Sequence, residues 1–304
     1  CFLEERSPGR NWTETNDTEE VLVAAKDQAH RFIQKEILKA RLLDMLVADW
    51  DRHADQWGWG VLDSGGHKYY HIIPRDRDQA FFMSGGLIPK LAKLMGMGHI
   101  NSFKNESRSL KKLNRKSWWF DRYFLNDLDA KEWEAVIREF QSQLPDEVIE
   151  SAVRKMPPEA YEIDGEIIAQ KLKSRRDGLL ENVMDYYEFL STSIKVNGYD
   201  GEETFRVKGS GENLLVSVFS AKNQLLFERL IIPSETKVIV LNGLKGNDRF
   251  VVEETANSDI TLKLYGNKGK DEYDINGKSK SFVYDSLAEN NQVTNKGSAK
   301  MILK

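Results

Sequence analysis

Cysteine is nearly absent from this sequence, which has Cys1 alone in 304 residues, so no disulfide can form within the chain. Long apolar runs are also missing, and no stretch could cross a bilayer as a helix. The most hydrophobic short stretch, residues 86–97, contains Pro89, Lys90 and Lys93, which predicts an amphipathic helix or a lid. The sequence therefore predicts neither a disulfide-stapled fold nor a transmembrane helix.

Free-standing basic clusters are likewise scarce. The 44 Lys and Arg residues are outnumbered by 48 Asp and Glu residues, which gives a net charge of -4. A nucleic-acid-binding surface usually needs an excess of positive charge on one face, so we expect no nucleic-acid partner. An apolar content of 40% over this length is enough to bury a sizeable core and favours about two domains.

The sequence begins with Cys rather than Met. Such a start is typical of a lipoprotein cleaved before its lipidated Cys, or of a segment of a longer protein. A lipid anchor is usually followed by a polar tether, whereas Phe2 and Leu3 lead into strand-like sequence. We therefore favour the second interpretation, in which the partners of this chain include neighbouring domains of a larger parent protein.

Two kinds of pattern divide the chain near residue 190. Apolar residues at helical spacing dominate before that point, including a segment from Thr18 to Ala48 that we expect to be one buried helix. Beyond it, short β-prone runs alternate with turns rich in Gly, Asn, Asp and Ser. The sequence thus predicts an α+β protein with an α-rich domain at residues 1–190 and an all-β, sandwich-like domain at residues 191–304.

Two acidic loops stand out in the first part. The first acidic loop, residues 49–56, reads Asp-Trp-Asp-Arg-His-Ala-Asp-Gln, and the second acidic loop, residues 74–82, reads Pro-Arg-Asp-Arg-Asp-Gln-Ala-Phe-Phe. Between them lie two β-prone runs joined by Asp63-Ser-Gly-Gly, which indicates a hairpin because glycine tolerates the positive φ of a tight turn. The hairpin would bring Asp51 and Asp76 together, where their charges need a cation, a phosphate or each other.

The order of these residue types fits phosphoryl transfer. That reaction needs a carboxylate to orient the attacking hydroxyl, and oxygen ligands that hold Mg²⁺ against the phosphates. In this interpretation Asp51 is the catalytic base and Gln56 is an amide donor or metal ligand. Asp76 and Asp78 are the other metal ligands. The predicted cofactors are Mg²⁺ or Mn²⁺, with ATP or another phosphorylated small molecule as the partner.

The same residues resemble the C-terminal lobe of kinase-like folds. Asp51-Arg52-His53 with Gln56 resembles the catalytic loop of phosphoinositide kinases, and residues 74–81 resemble the Asp-x-Asp-x-Ala-Phe metal loop of CotH-type protein kinases. The resemblance implies a phosphotransferase-like site in which Arg52, His53 and Gln56 bind the cofactor. Gln56 stands where those kinases have Asn, and a nucleotide-gripping N-terminal lobe would have to lie upstream, because only about eighteen residues precede the first predicted helix.

A wider resemblance is to a region of large Bacteroidetes surface proteins. It covers residues 43–57, 74–82 and 172–176 and the turns at Gly243 and Gly266. Those proteins carry an N-terminal calcineurin-like metallophosphoesterase and a C-terminal BamA-like outer-membrane barrel, so the resemblance implies a place in the periplasm or at the outer membrane. The dimetal ligands of a metallophosphoesterase are not found in this sequence, and we do not transfer that activity to it.

Two other functions stay open at this point. In one, the loops form a buried ion-pair network and the chain is a non-catalytic structural or docking module of an outer-membrane protein. The residues of that network would be Asp49, Arg52, Asp55, Arg75, Asp76, Arg77 and Asp78. In the other, the chain is a metal-dependent hydrolase that uses Asp51, His53, His71 and Asp76.

The β-rich part contains one internal repeat. Residues 243–250 recur as residues 266–273, each with the pattern Gly-x-x-Gly-x-Asp-x-aromatic. Each copy resembles part of the nonapeptide of calcium-binding β-rolls but lacks its second glycine. We therefore favour turns in which Asp248 and Asp271 cap the loop and the aromatic residue fills the core, and expect no Ca²⁺ there.

Overall fold

The computed structural model describes residues 12–83, 102–107 and 109–303. It is a mixed α/β structure with several sheets. The amphipathic helix or lid expected at residues 86–97 lies outside the described residues. None of the described helices combines the length and the apolar content needed to span a bilayer.

In the first part, helices pack on a small sheet. Its strands are β1 (Glu14–Asp17), β2 (His30–Phe32), β3 (Trp57–Ser64) and β4 (His67–Pro74), in the order β1-β3-β4-β2. Its helices are α1 (Thr18–Ala24), α2 (Gln34–Val47), α3 (Leu110–Leu113), α4 (Trp118–Phe124), α5 (Ala130–Ser142), α6 (Asp146–Val153), α7 (Pro158–Ala160), α8 (Glu166–Asp177) and α9 (Leu179–Ser191). Short turns of 3-10 helix lie at Ala54–Gln56 and Arg115–Ser117, and a π turn lies at Tyr161–Gly165.

The segment expected to be one helix from Thr18 to Ala48 is two helices with a strand between them. α1 begins with a capping box formed by Asp17 and Glu20. β2 then pairs in parallel with β4, so tertiary pairing overrides local helix propensity there. The expected burial is found in α2, which is covered on most of its faces and ends at Ala48 in the left-handed conformation (φ 58°).

Later helix boundaries follow the local signals in the sequence. The predicted capping box of Asp129 and Glu132 opens α5, and Pro145 precedes α6. The long segment expected from Ile163 onward is divided at Gly178 into α8 and α9. Capping residues and prolines therefore located these helix starts, whereas the interruption at Gly178 went unpredicted.

The second part consists of strands. They are β5 (Ser193–Asn197), β6 (Glu203–Ser210), β7 (Asn213–Ser220), β8 (Leu225–Ile231), β9 (Val238–Asn242), β10 (Arg249–Val252), β11 (Thr261–Tyr265), β12 (Glu272–Ile275), β13 (Ser281–Asp285), β14 (Gln292–Asn295) and β15 (Lys300–Leu303). A 3-10 turn lies at Leu287–Glu289. The buried apolar residues of this part form a cluster separate from that of the helical part.

These strands pair mainly in parallel, which corrects the expected sandwich-like arrangement. One sheet has the order β15-β13-β11-β9-β5, and the other has the order β14-β12-β10-β6-β7-β8. Only the hairpin pairs β6–β7 and β7–β8 are antiparallel among the described strand pairs of this part. The chain therefore winds in stacked coils, each of which gives one strand to each sheet, with β7 and β8 inserted in the first coil.

The internal repeat forms the corner between the two sheets. Asp248 Oδ1 accepts a hydrogen bond from Glu203 N at 2.9 Å, and Asp271 Oδ1 accepts one from Asp248 N at 2.8 Å. Asn291 Oδ1 continues the series by accepting from Asp271 N at 2.8 Å. The predicted capping role of the two aspartates is thus observed, but each one caps the turn of the preceding coil rather than its own.

The aromatic residues of the repeat stack in the core. The rings of Phe250 and Tyr273 are 5.2 Å apart and nearly parallel, and Phe205 stacks 4.8 Å from Phe250 on the other side. Phe205 belongs to a third copy, residues 198–205, which reads Gly-Tyr-Asp-Gly-Glu-Glu-Thr-Phe. The sequence reasoning missed this copy because Glu203 replaces the aspartate and the inserted hairpin lengthens its spacing.

A buried junction joins the two parts. α9 leads directly into β5, and Thr236 Oγ1 donates to Ser191 O at 2.8 Å beside the connection. From the inserted hairpin, Arg229 donates to Asn126 O and, at 3.0 Å, to Tyr187 Oη. Buried polar contacts on both sides of the connection therefore fix the helical part against the coils.

We expect Asp248→Asn to stabilise the β-rich part as the pH rises. The pKa of Asp248 is raised from 3.8 to about 9, chiefly by burial and also by the nearby carboxylates of Glu203 and Asp271, while the hydrogen bond from Glu203 N opposes the shift. The folded state therefore keeps a proton that the unfolded state releases near pH 4. The contribution of Asp248 to the free energy of unfolding is fully present below that pH. It is lost as the pH rises toward 9, by up to about 1.4 kcal/mol per pH unit.

Asparagine is neutral at every pH and already holds the equivalent place at position 291. Urea denaturation followed by circular dichroism between about pH 4 and pH 8 should show the Asp248→Asn variant gaining on the wild type at the higher pH. Asp259→Asn, at an exposed position of the same part, is the control. A stability difference that does not change with pH would contradict a buried, protonated Asp248.

Candidate functional site

The β3–β4 hairpin brings the two acidic loops together. Its strands pair antiparallel along their length and end with Trp57 opposite Pro74. Just beyond that pair, Arg75 N donates to Gln56 O at 2.9 Å. This bond joins the last residue of the first acidic loop to the second acidic loop. The hairpin predicted from the sequence, and the adjacency of the two loops, are therefore confirmed.

Arg52 lies between the two loops. Its Nη1 donates to Arg75 O and Asp76 O, each at 2.5 Å, and its Nη2 donates to Gln56 O at 3.1 Å. The guanidinium also stacks 4.1 Å from the ring centroid of Trp57, and the side chain is 1% exposed. The sequence assigned Arg52 to cofactor binding. Because its donors are directed to the protein's own backbone, we assign it instead to holding the loops together.

Asp44 is the centre of a buried ion-pair network beneath the loops. Its Oδ2 accepts from Arg41 Nη1 at 2.8 Å and lies 3.3 Å from Arg52 Nε, while its Oδ1 accepts from Arg77 Nε at 2.9 Å. Asp49 Oδ2 lies 3.6 Å from Arg52 Nη1. A buried carboxylate with three cationic neighbours is well compensated for its lost hydration.

Arg41 extends this network into the helical core. Its Nε donates to Asp121 Oδ1 at 2.7 Å and its Nη2 donates to Asn114 Oδ1 at 2.7 Å. Asp121 Oδ2 in turn accepts from Tyr186 Oη at 2.7 Å. The sequence reasoning missed Arg41, Asp44 and Asp121. The available signal was that Arg41 and Asp44 stand inside the apolar run at the end of α2, where side chains are expected to be buried.

Arg175 of α8 holds the end of α2 that leads into the first acidic loop. Its Nε donates to Leu46 O and its Nη2 to Met45 O, both at 2.6 Å. Burial lowers the pKa of Arg175 to about 10. A cation at a helix C-terminus satisfies carbonyls that lack intrahelical partners and interacts favourably with the helix dipole, so Arg175 fixes the base from which the loop starts.

Asp49 belongs to the structural network rather than to the solvent side of the loop. Burial raises its pKa to about 6, with the negative charge of Asp44 adding to the effect and the positive charge of Arg52 opposing it. Its Oδ1 accepts from Asp51 N at 3.2 Å. Asp49 therefore shapes the turn that presents Asp51.

Asp51 and His53 lie outside this network. The carboxylate of Asp51 pairs with Lys116, and the two side chains are 24% and 39% exposed. His53 is 40% exposed, and its Nδ1 lies 3.5 Å from the exposed carboxylate of Asp55. Both residues are thus partly exposed to solvent, and Lys116 is a neighbour of Asp51 that the sequence did not indicate.

Asp76 and Asp78 present exposed carboxylates on the second acidic loop. Asp76 Oδ1 accepts from Asp78 N at 3.4 Å, and Asp78 Oδ2 accepts from Gln79 Nε2 at 2.9 Å. The backbone of Asp76 is left-handed, with φ 47°. Aspartate is among the residues that tolerate this conformation, which is found at binding sites where the surrounding structure enforces it.

Gln56 joins the two loops through its backbone and offers a buried amide oxygen. The residue is 5% exposed, and its Oε1 has no hydrogen-bond partner in the described part of the chain. Buried side-chain acceptors are usually paired, so an unpaired one calls for a ligand, a water or an ion. The amide oxygen of Gln56 is therefore an acceptor that the described side chains and backbone leave unpaired.

The hydrolase hypothesis relied on His71 in addition to Asp51, His53 and Asp76. His71 lies within β4 opposite Gly60, and its Nδ1 is 2.8 Å from Glu36 Oε2. Over residues 12–83, 102–107 and 109–303, no three His, Cys, Asp or Glu side chains gather as a metal-binding group.

Protein-family models, curated proteins and solved structures provide no match to this chain.

Proposed function

We propose that the two acidic loops bind a divalent cation, Mg²⁺ or Mn²⁺, together with the phosphate of a nucleotide or another phosphorylated small molecule. In this proposal residues 1–190 form a kinase-like C-terminal lobe, and the β-rich part is a second domain of a cell-envelope protein in the periplasm or at the outer membrane. The ligands of the cation would be Asp76, Asp78 and Gln56.

One observation carries the proposal: the carboxylates around the hairpin fall into two separate sets. Asp44, Asp49 and Asp121 are buried and neutralised by Arg41, Arg52 and Arg77. Asp51, Asp76 and Asp78 are outside that network. The buried network thus does not include Asp51, Asp76 and Asp78, the residues that the phosphoryl-transfer pattern names as catalytic base and metal ligands.

The second set suits a hard cation. Mg²⁺ and Mn²⁺ prefer carboxylate and amide oxygens, which Asp76, Asp78 and the unpaired Oε1 of Gln56 offer. A bound cation would neutralise phosphate charge and orient the phosphate. In this proposal Asp51, on the neighbouring loop, would orient an acceptor hydroxyl and accept its proton. Arg52 holds the two loops in register, so their spacing does not depend on the ligand.

The test is thermal unfolding of the wild type and of Asp76→Ala with Mg²⁺ or Mn²⁺, with and without ATP. A ligand that binds the folded state alone stabilises it by about 2.7 kcal/mol when it is present at roughly one hundred times its Kd, so we expect a rise in Tm of several degrees in the wild type. The rise should disappear in Asp76→Ala.

Asp63→Ala is the matched control, because Asp63 is an exposed carboxylate at the far end of the same hairpin. That variant should keep the full cation-dependent rise. An equal rise in the Asp76→Ala variant, or no rise in the wild type, would count against a cation site on these loops.

A second candidate function is a non-catalytic structural or docking module. It is favoured by the position of Arg52, whose positive charge already lies between the two loops, and by the pairing of Asp51 with Lys116. In that case no cation would raise the Tm, and Asp76→Ala would lower stability in plain buffer because it removes the carboxylate that accepts from Asp78 N. The thermal-shift experiment separates the two functions.

A further inference from the structure

Lys116 is brought to the first acidic loop from a distant segment of the chain. It lies in the turn Arg115–Ser117, and its ammonium pairs with Asp51 Oδ1. The Nζ also lies 5.7 Å from the ring centroid of Trp50. Its side chain is 39% exposed, so the ammonium contacts the loop on one side and solvent on the other.

The buried network holds this turn in place. Ser117 Oγ donates to Arg52 O at 2.7 Å, and Asn114 Oδ1 accepts from Arg41 Nη2 at 2.7 Å. Both contacts are buried. Asn114 and Ser117, on either side of Lys116, are therefore held by Arg41 and Arg52, so the core places the turn that carries this lysine beside the first acidic loop.

We propose that Lys116 is a phosphate-binding residue of the site, which exchanges Asp51 for a phosphate oxygen when the ligand arrives. This inference rests on the proposed function. The carboxylates of Asp51, Asp76 and Asp78 would repel a phosphate, and Arg75, the exposed arginine of the second acidic loop, lies over Gly58 of β3. Arg52 and Arg77 are committed to Asp44, whereas Lys116 keeps exposed donors. An ammonium is a strong point-charge partner for phosphate.

The pairing of Lys116 with Asp51 also predicts effects of opposite sign for two ligands. Lys116→Met removes a positive charge that repels a metal ion bound on the neighbouring acidic loop, so Mn²⁺ alone should bind at least as tightly as it does to the wild type. The same variant loses the phosphate contact, so its affinity for Mn²⁺ with inorganic pyrophosphate should fall about tenfold or more.

Isothermal titration calorimetry of the whole chain is the measurement, with Mn²⁺ alone, Mn²⁺ with pyrophosphate and Mn²⁺ with ATP as titrants. Lys112→Met is the matched control, because Lys112 is an exposed lysine of α3 on the same segment. That variant should bind all three titrants as the wild type does. Lys116→Arg should recover part of the affinity for pyrophosphate, since arginine also binds phosphate.

Each outcome decides the matter. Similar losses for pyrophosphate and ATP in Lys116→Met support the inference, because the two ligands share only phosphate; tighter binding of ATP by the wild type would then identify a nucleotide as the source. Unchanged pyrophosphate affinity, or a loss confined to ATP, overturns it. Loss of all three ligands with a lowered Tm shows a structural role and also overturns it. A wild type that binds none of them refutes the proposed function itself.

Discussion

Replacing Arg41 with methionine is expected to lower the free energy of unfolding by about 3 to 5 kcal/mol, the usual cost of removing one partner from a buried ion pair. The side chains of Arg41, Asp44 and Asp121 are all 0% exposed. Without the guanidinium, Asp121 would keep a buried charge with Tyr186 Oη as its remaining side-chain donor, and Asp44 would lose one of its cations. The variant therefore leaves charge in the core that water cannot reach.

Urea denaturation followed by tryptophan fluorescence measures this loss. The seven tryptophans all lie at or before Trp133, so the signal reports on the helical part. Arg138→Met is the control, because Arg138 is 61% exposed and pairs with Glu134 on the surface of α5; it should change stability by less than about 0.5 kcal/mol. Equal losses in the two variants would show that the Arg41 network contributes no more than a surface pair.

Gly246→Ala is expected to destabilise the β-rich part strongly. Gly246 has φ 113°, and a Cβ there would lie 1.7 Å from Gly201 O in the preceding coil. Gly201 O belongs to the backbone of the stacked turn, and the added Cβ is bonded directly to the backbone at position 246. Neither atom can rotate away, so the coils would have to move apart. Backbone strain and steric overlap together should cost about 3 to 5 kcal/mol.

Gly211→Ala separates strain from stacking. Gly211 also has positive φ, 62°, but a Cβ there would meet nothing within 4 Å. Its expected cost is the strain alone, about 1 to 2 kcal/mol. Urea denaturation followed by circular dichroism compares the two variants. Losses of similar size would mean that the close approach of Gly246 to the preceding coil does not limit stability.

Local signals in the sequence located the elements around the candidate site. The glycine pair after Ser64 marked the β3–β4 turn, and the β-prone runs on either side marked its strands. Since both acidic loops are attached directly to these strands, a prediction based on local structure was enough to place Asp51 and Asp76 on neighbouring loops.

Long-range pairings could not be read in the same way. Arg41 and Asp121 are 80 residues apart, and Lys116 is 65 residues from Asp51. No local pattern distinguishes an arginine that will be buried from one that will be solvated. For this reason Arg52 was assigned to a cofactor, although its neighbours in the fold are backbone carbonyls and the carboxylates of Asp44 and Asp49.

The arrangement of the β-rich strands shows a different limit. Their existence followed from short β-prone runs separated by turn residues, but the pattern of a single strand does not specify the direction or the identity of its partner. The spacing between the two turns at Gly243 and Gly266 was the usable signal, because a repeat longer than a nonapeptide can still stack when each coil contains two strands. The hairpin inserted in the first coil concealed the third copy.

The direct passage from α9 into β5, braced by Arg229 and Thr236, has a mechanical consequence. A flexible linker lets two parts of a chain sample many relative orientations, whereas a short connection with buried polar contacts on both sides restricts their relative motion. The distance and the angle between the coils and the loops that carry Asp51 and Asp76 are therefore constant.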